Sequence, residues 1–339
     1  MMRQQVERHM KRKHRVVIVT LIVLIFTMFI ISMNTGSIRL APFEVLQALF
    51  WQGTSQQQLI LYDFRLPRII IAILVGCGLA VAGAVLQGIT RNPLADPGII
   101  GINAGAGLMV LLFVTLAPRD ELVSFFLMPV MAFIGASAAA VIIYALSYKK
   151  NEGITAVRLL LNGIGVAAGI SAVTIVLTIV ITPEEYQIVA TWMAGSIWGS
   201  TWNYVLAVLP WLIVLLPLVF QKAKVLNVLT LNEISAMSLG VHIEKERRYL
   251  LFLAVGLAAA SVSVSGGIGF VGLIAPHIAR RLVGGNFKAL LPVSALLGAL
   301  LVLAADTLGR SLFAPTEIPA GIVVAVIGAP YFLYLLKKS

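Results

Sequence analysis

A single cysteine in 339 residues leaves Cys77 without a partner, which excludes an intramolecular disulfide and a cysteine-built metal site. Histidine is nearly as scarce. His9, His14, His242 and His277 have no histidine or carboxylate companion at metal-ligand spacing, so no tightly bound metal is expected. The phosphate-cradling loop G-x-x-x-x-G-K-[ST] is absent too, so any ATPase activity must reside on another subunit. Charge is thin: 12% of residues are charged and 60% are hydrophobic, with a mean hydropathy of +0.99. Those values exclude a soluble domain.

What is present is apolar sequence in long runs. A helix needs roughly 20 residues to cross about 30 Å of hydrocarbon. Spans are expected near 16 to 33, 69 to 88, 99 to 117, 123 to 147, 159 to 182, 203 to 220, 249 to 264, 268 to 284, 289 to 308 and 319 to 336. This is an all-α integral membrane protein of about ten transmembrane helices, with residues 1–339 forming one polytopic domain. Continuous runs, without the two-residue alternation of a lipid-facing strand, favour helices over a barrel. Ser261 to Gly272 is small and polar enough to be a re-entrant turn or a broken helix instead. Ser32 to Ser37 is a poor cleavage site, so the first run is expected to stay as an uncleaved helix.

Basic residues set the orientation. If the tail 1–15 lies in the cytoplasm, 20 of the 25 Lys and Arg fall on that side. Only Arg39, Arg65, Arg68, Arg119 and Arg310 are left outside, and both termini are cytoplasmic. The same asymmetry accounts for the net charge of +11 through topology and contact with anionic lipid rather than nucleic acid.

Four stretches carry candidate chemistry. Val264 to Leu282 puts glycines, Pro276-His277 and Arg280-Arg281 into apolar sequence. Its Gly267-x-Gly269-x-x-Gly272 lacks the strand and following acidic residue of a dinucleotide site, so Gly267 and Gly269 suit close packing or an interrupted helix. Asn92, Pro93, Asp96, Pro97 and Gly98 must form a non-helical cytoplasmic turn. Gly101 and Gly105 offer a small-x-x-x-small face for helix packing. Within the long connection 221–249, Leu229 to Gly240 is expected to form a short amphipathic helix. Asn232 would cap it, Glu233 would sit in its first turn and Gly240 would end it. Ile234 and Leu239 give it an apolar face for a partner groove or a lipid surface. Arg65, Arg68 and Arg310 could meet partner carboxylates, or Arg310 could pair with Asp306 one turn earlier while the other two snorkel to head groups.

Eight motifs in order resemble one family. They are Arg65-Leu-Pro-Arg68, Gly83-Ala-Val-Leu-Gln87, Asn92 to Gly98, Trp192-Met-Ala-Gly-Ser196, Ala236-Met-Ser-Leu-Gly240, Gly269 to His277, Ala305 to Arg310, and Glu317 to Gly321 with Gly328-Ala-Pro330. They resemble the FecCD-type permeases, membrane subunits of bacterial ABC importers for ferric siderophores, haem and vitamin B12. The resemblance implies a vitamin B12 importer-like permease fold in the cell membrane. It also implies a second permease subunit, two cytoplasmic ATPase subunits holding ATP and Mg, and an extracytoplasmic substrate-binding protein. On that basis Arg65, Arg68 and Arg310 dock the binding protein. Leu229, Asn232, Glu233, Ala236, Leu239 and Gly240 belong to the ATPase-coupling helix, and Asn92 to Gly98 lies near an inner gate. The rival class, a proton-coupled secondary transporter, would need His277, Asp306 or Glu317 as its relay.

Overall fold

The computed structural model describes residues 2–36, 41–116, 121–149, 153–231, 233–312 and 316–338. Helix α1 (Met2–Asn34) is followed by short α2 (Pro42–Leu49) and α3 (Ser55–Leu59), then a π-helical turn, Ile60–Arg65, that runs into α4 (Leu66–Thr90). A 3-10 turn, Pro97–Ile100, precedes α5 (Ile102–Leu116) and α6 (Glu121–Ser147). Strands β1 (Tyr148–Lys149) and β2 (Gly153–Ile154) pair antiparallel before α7 (Ala156–Leu177), α8 (Pro183–Met193) and α9 (Trp202–Gln221). The chain ends with α10 (Ala223–Leu229), α11 (Glu233–Ser238), α12 (Ile243–Ser265), α13 (Val271–Val283), α14 (Phe287–Ser311) and α15 (Ala320–Lys338).

Among the described residues, seven helices are long and apolar enough to cross a membrane. The remaining expected spans are shorter. The span near 99 to 117 is the 15-residue α5. The one near 268 to 284 is the 13-residue α13, and the one near 319 to 336 is α15, whose apolar stretch is Ala320–Tyr334. Thirteen residues rise about 20 Å, short of the hydrocarbon thickness, so the broken-helix alternative for Ser261 to Gly272 describes this stretch. Helix α8 was not anticipated; Thr182 and Glu185 start it with a reciprocal capping box after the Thr178–Ile181 bend.

Glycine decides how the helices pack, because apolar side chains gain little by leaving lipid for one another while close backbone approach gains dispersion. A Cβ on Gly76 would overlap the Gly298 carbonyl and one on Gly298 the Gly76 carbonyl, which fixes the α4–α14 crossing. Gly105 and Gly135 do the same for α5 and α6. Gly83 meets the Gly272 backbone where α13 crosses α4. Helix α4 is therefore the buried axis, with nearly every residue from Ile69 to Ile89 enclosed. Helices α1 and α7 form the rind and expose Val19, Val23 and Phe26, and Leu161, Ile164 and Ile175, to the surroundings. The surface of a membrane protein is apolar because its solvent is.

Candidate functional site

The three rim arginines come together, and each is engaged within the chain. Arg310 Nη2 donates to the Ser32 carbonyl and hydroxyl at 3.0 and 2.6 Å, and Nη1 donates to the Thr35 carbonyl at 3.0 Å. Arg65 Nη1 donates to the Met33 carbonyl. These carbonyls end α1, where C=O groups lack intrahelical partners and the helix dipole is negative. Arg68 grips Asp306 through Nε at 2.9 and 3.1 Å and Nη2 at 2.7 Å, and donates from Nη1 to Glu317 at 2.8 Å. Asp306 is 1% exposed and also faces Arg310 Nε at 3.7 Å, the one-turn pairing foreseen. The three arginines and Glu317 line a 460 Å³ cavity with Gly36, Phe64 and Trp198.

A second cluster forms where helices break. Gly266, at φ +67°, ends α12 with the Trp192 carbonyl pressed against it, where any side chain would overlap. Gly321 N donates to the Gly195 carbonyl at 2.8 Å, so the end of α8 also holds the start of α15. Phe270 starts α13 from a left-handed conformation at φ 66°. Of the sequence-selected residues, Gly267 packs against the Met193 carbonyl, whereas Gly269 faces open space. Pro276 has no N–H to offer the Gly272 carbonyl four residues earlier. Gln87 fills that gap, donating from Nε2 to the Gly272 and Leu273 carbonyls at 3.2 and 3.4 Å. His277 Nε2 is buried without a hydrogen-bond partner among the described residues, and its ring meets Tyr331 edge-on at 5.8 Å.

The Asn92 to Gly98 connection is two successive Asx turns. Asn92 Oδ1 accepts from Leu94 N at 2.9 Å, and Asp96 Oδ1 accepts from Gly98 N at 2.8 Å. Pro93 is exposed, whereas Pro97 is buried against Gly272. Burial pushes the Asp96 carboxyl up to about 6, with the Gly98 N–H only partly offsetting the loss of water. Arg91, left-handed at φ 52°, closes α4 and donates from Nε to the Leu229 carbonyl at 2.8 Å, joining this connection to α10.

The short helix expected within Leu229 to Gly240 is α11, which starts at Glu233, while Leu229 closes the preceding α10. Leu229 ends α10 and is 2% exposed, and Ala236 in α11 is fully buried, so both residues hold the region to the body. Among the described residues, Leu231, Met237 and Leu239 expose apolar side chains here, and the Ile234 side chain expected beside Leu239 lies outside those described. Gly240, at φ +77°, ends α11 as expected. Asn232 lies outside the described residues, as does the Glu233 side chain. Lys222 pairs with Glu246 at 2.7 Å, and Arg247 Nη1 donates to the Ile154 carbonyl at 3.0 Å, bracing this rim.

The sequence missed the Arg68 ion pairs and the Gln87 substitution. The first joins residues 238 and 249 positions apart. The second had one signal, a lone amide in an otherwise apolar span.

A multi-pass helical protein with helices interrupted inside the bundle has the architecture of transport permeases. The chain is a member of the FecCD transport family, which it matches over residues 22–338. It is 48% identical over 331 residues to the iron(3+)-hydroxamate import system permease protein FhuG of Bacillus subtilis (strain 168), covering 96% of this chain and 98% of that one. It is 38% identical over 322 residues to the hemin transport system permease protein HmuU of Yersinia pestis, covering 94% of each. Among solved structures, a metal-chelate type ABC transporter in an inward-facing conformation superposes with a TM-score of 0.82 and 33% identity, over 95% of this chain and 99% of that one.

Proposed function

We propose that this chain is one of two permease subunits of an ABC importer that carries a ferric siderophore into the cytoplasm. The likeness to the hydroxamate permease, which covers nearly the whole of both chains, carries that reading. The seven long helices and the shorter α5, α13 and α15 would make ten passes. The rim holding Arg65, Arg68 and Arg310 would face outward, and the basic rim of Lys222, Lys245, Arg247 and Arg248 would face the cytoplasm, with both termini on that side.

A loaded binding protein would dock at the outer rim, where guanidinium groups can hold a partner carboxylate in bidentate fashion. Two ATPase subunits, which bind ATP and Mg, would dock at the inner rim against Leu231, Met237 and Leu239. Movement of α11 would pass through the Arg91 to Leu229 bond to the end of α4 and the Asn92 to Gly98 connection. Alternating access then amounts to a change in population between outward and inward states, which ATP biases through the ATPase pair. The chain itself supplies a path and a lever.

The test is uptake of radio-iron siderophores, haem and vitamin B12 by cells with and without the chain. Loss of ATP-dependent uptake of ferric siderophore alone on deletion, restored by the intact chain, is the expected result. Loss of haem or vitamin B12 uptake instead would reassign the cargo. Iron uptake that survives ATP depletion but not a proton uncoupler would overturn the importer mechanism.

A further inference from the structure

Helix α2 is apolar on both faces. Val45 and Ala48 are buried against the body, while Phe43, Leu46, Leu49 and Phe50 point away from it and are between 41 and 69% exposed. Glu44, the one charge in the helix, folds back to accept from Ala41 N at 2.7 Å and leaves that outer face uncharged. A helix that is apolar all round belongs in a core or a membrane, and a contiguous apolar patch marks a surface that something covers.

The helix ends on an unusual residue. Gln52 N donates to the Gln47 carbonyl at 2.8 Å and Trp51 N to the Ala48 carbonyl at 3.0 Å, the two bonds of a Schellman stop, whose left-handed residue is commonly glycine. Here it is Trp51, at φ 60° and 70% exposed. A bulky side chain is disfavoured in that conformation, so the indole supplies something that glycine would not. Its ring stacks on Tyr62 at 4.9 Å.

Tyr62 also sets the depth of α2. Its hydroxyl donates to the Leu49 carbonyl at 2.9 Å, and its own carbonyl accepts from Trp202 Nε1 at 2.9 Å. Trp202 is the first residue of α9, a helix long and apolar enough to cross a membrane, and the residues just before it, Trp198 to Ser200, line the arginine cavity. Trp202 therefore marks the membrane edge on the arginine side. Trp51 and Tyr62 lie at that edge with it, where amphipathic rings sit with one end apolar and the other wet.

The bilayer and a partner docking at the rim are the two surfaces that could cover this face. A partner that docks and leaves would return these large apolar side chains to water each time, whereas the bilayer covers them throughout. Helix α2 also packs beside α1, whose last turns expose Ile30 and Ile31 as part of a membrane-crossing helix. The lipid-covered surface thus continues onto α2.

We propose that α2 and Trp51 form an interfacial anchor, with Phe43, Leu46 and Phe50 in the upper acyl chains of the leaflet on the arginine side and Trp51 among its headgroups. Through Tyr62 the anchor fixes the height of the π-helical turn Ile60–Arg65, and so of Arg65, against the bilayer. It depends neither on the cargo nor on coupling to ATP.

The test is the depth of nitroxide labels at Leu46→Cys and Phe50→Cys, each in the full chain carrying Cys77→Ala and reconstituted in vesicles of phosphatidylcholine and phosphatidylglycerol. Depth is read from the relative access of oxygen and of a water-soluble nickel chelate. Both labels should lie about 5–10 Å below the phosphates. Nickel access exceeding oxygen access at both positions would place the face in water and overturn the proposal, and so would labels that a loaded binding protein alone shields. Trp51→Phe, which keeps a ring over Tyr62, carries the test if the cysteine variants do not assemble. The emission difference between wild type and Trp51→Phe should shrink in vesicles of phosphatidylcholine brominated high on its acyl chains, and a difference that brominated lipid leaves unchanged would overturn the anchor.

Discussion

Arg68→Ala tests whether the rim cluster first holds the fold. The substitution removes three donor contacts to Asp306 and one to Glu317, and leaves Asp306 without those donors at 1% exposure. Arg310 Nε, at 3.7 Å, is too far to replace those hydrogen bonds without giving up its hold on Ser32 and Thr35. Removing one partner of a buried pair costs about 3–5 kcal/mol, because the other charge is left uncompensated. Removing the charge as well should recover most of that, so Arg68→Ala with Asp306→Asn should return to within about 1–2 kcal/mol of wild type. The assay is thermal unfolding of the purified subunit in detergent, set beside the amount of chain in the membrane. The reasoning is wrong if Arg68→Ala unfolds at the wild-type temperature, or if the double variant is no more stable than the single one. Arg68→Glu, which sets a carboxylate against Asp306, consequently reports on folding before it reports on docking.

Four further outcomes follow from the geometry. Gln87→Leu leaves the Gly272 carbonyl unsatisfied and should cost about 1–3 kcal/mol; with Pro276→Ala, which restores an N–H to that carbonyl, the cost should shrink, and an equal cost in both backgrounds would refute the substitution. The Asp96 carboxyl titrates near 6 in the folded chain against 3.8 when unfolded, so the native state holds its proton more tightly and stability falls as pH rises between about 4 and 6. Asp96→Asn should therefore raise the thermal midpoint at pH 7.5 by the equivalent of about 3 kcal/mol and leave it unchanged at pH 4, and a pH-independent gain would argue for another cause. Leu239→Asp, at a side chain 63% exposed, should spare stability and weaken transport-linked ATP hydrolysis, whereas Ala236→Asp, at a fully buried position, should prevent accumulation of folded chain; equal effects would remove the distinction. Gly83→Ala forces a Cβ into the Gly272 backbone and should cost about 1–3 kcal/mol, while Gly165→Ala, with nothing within 4 Å, should cost nothing in the same melt.

Much was legible along the chain. Hydropathy reveals a multi-pass helical protein because each helix must satisfy its own backbone in lipid, and that demand acts on consecutive residues. Local chemistry likewise marks the Asn92 to Gly98 turn, the Gly240 stop and the break after Ser265, since proline, glycine and Asx side chains act within a few residues. The basic-residue count already set the rim arginines apart and helical spacing offered the Arg310 to Asp306 pairing, but the contacts of Arg65 and Arg68 were not recognisable.

Tertiary structure decided the rest. Whether Arg68 faces a head group or Asp306 depends on α4 lying beside α14, which the meeting of Gly76 with Gly298 fixes and no window of sequence contains. Which side chains of Leu229 to Gly240 hold the body depends on Leu229 and Ala236 finding buried seats, and apolar periodicity cannot distinguish a seat in the body from a face left for a partner. Helix α8 reads as an ordinary surface helix until its Trp192 carbonyl is found against Gly266 at the broken end of α12. Sequence determined the solvent this chain folds in and where its helices stop, because those are local free energies; the sites arose from contacts between helices far apart in the chain.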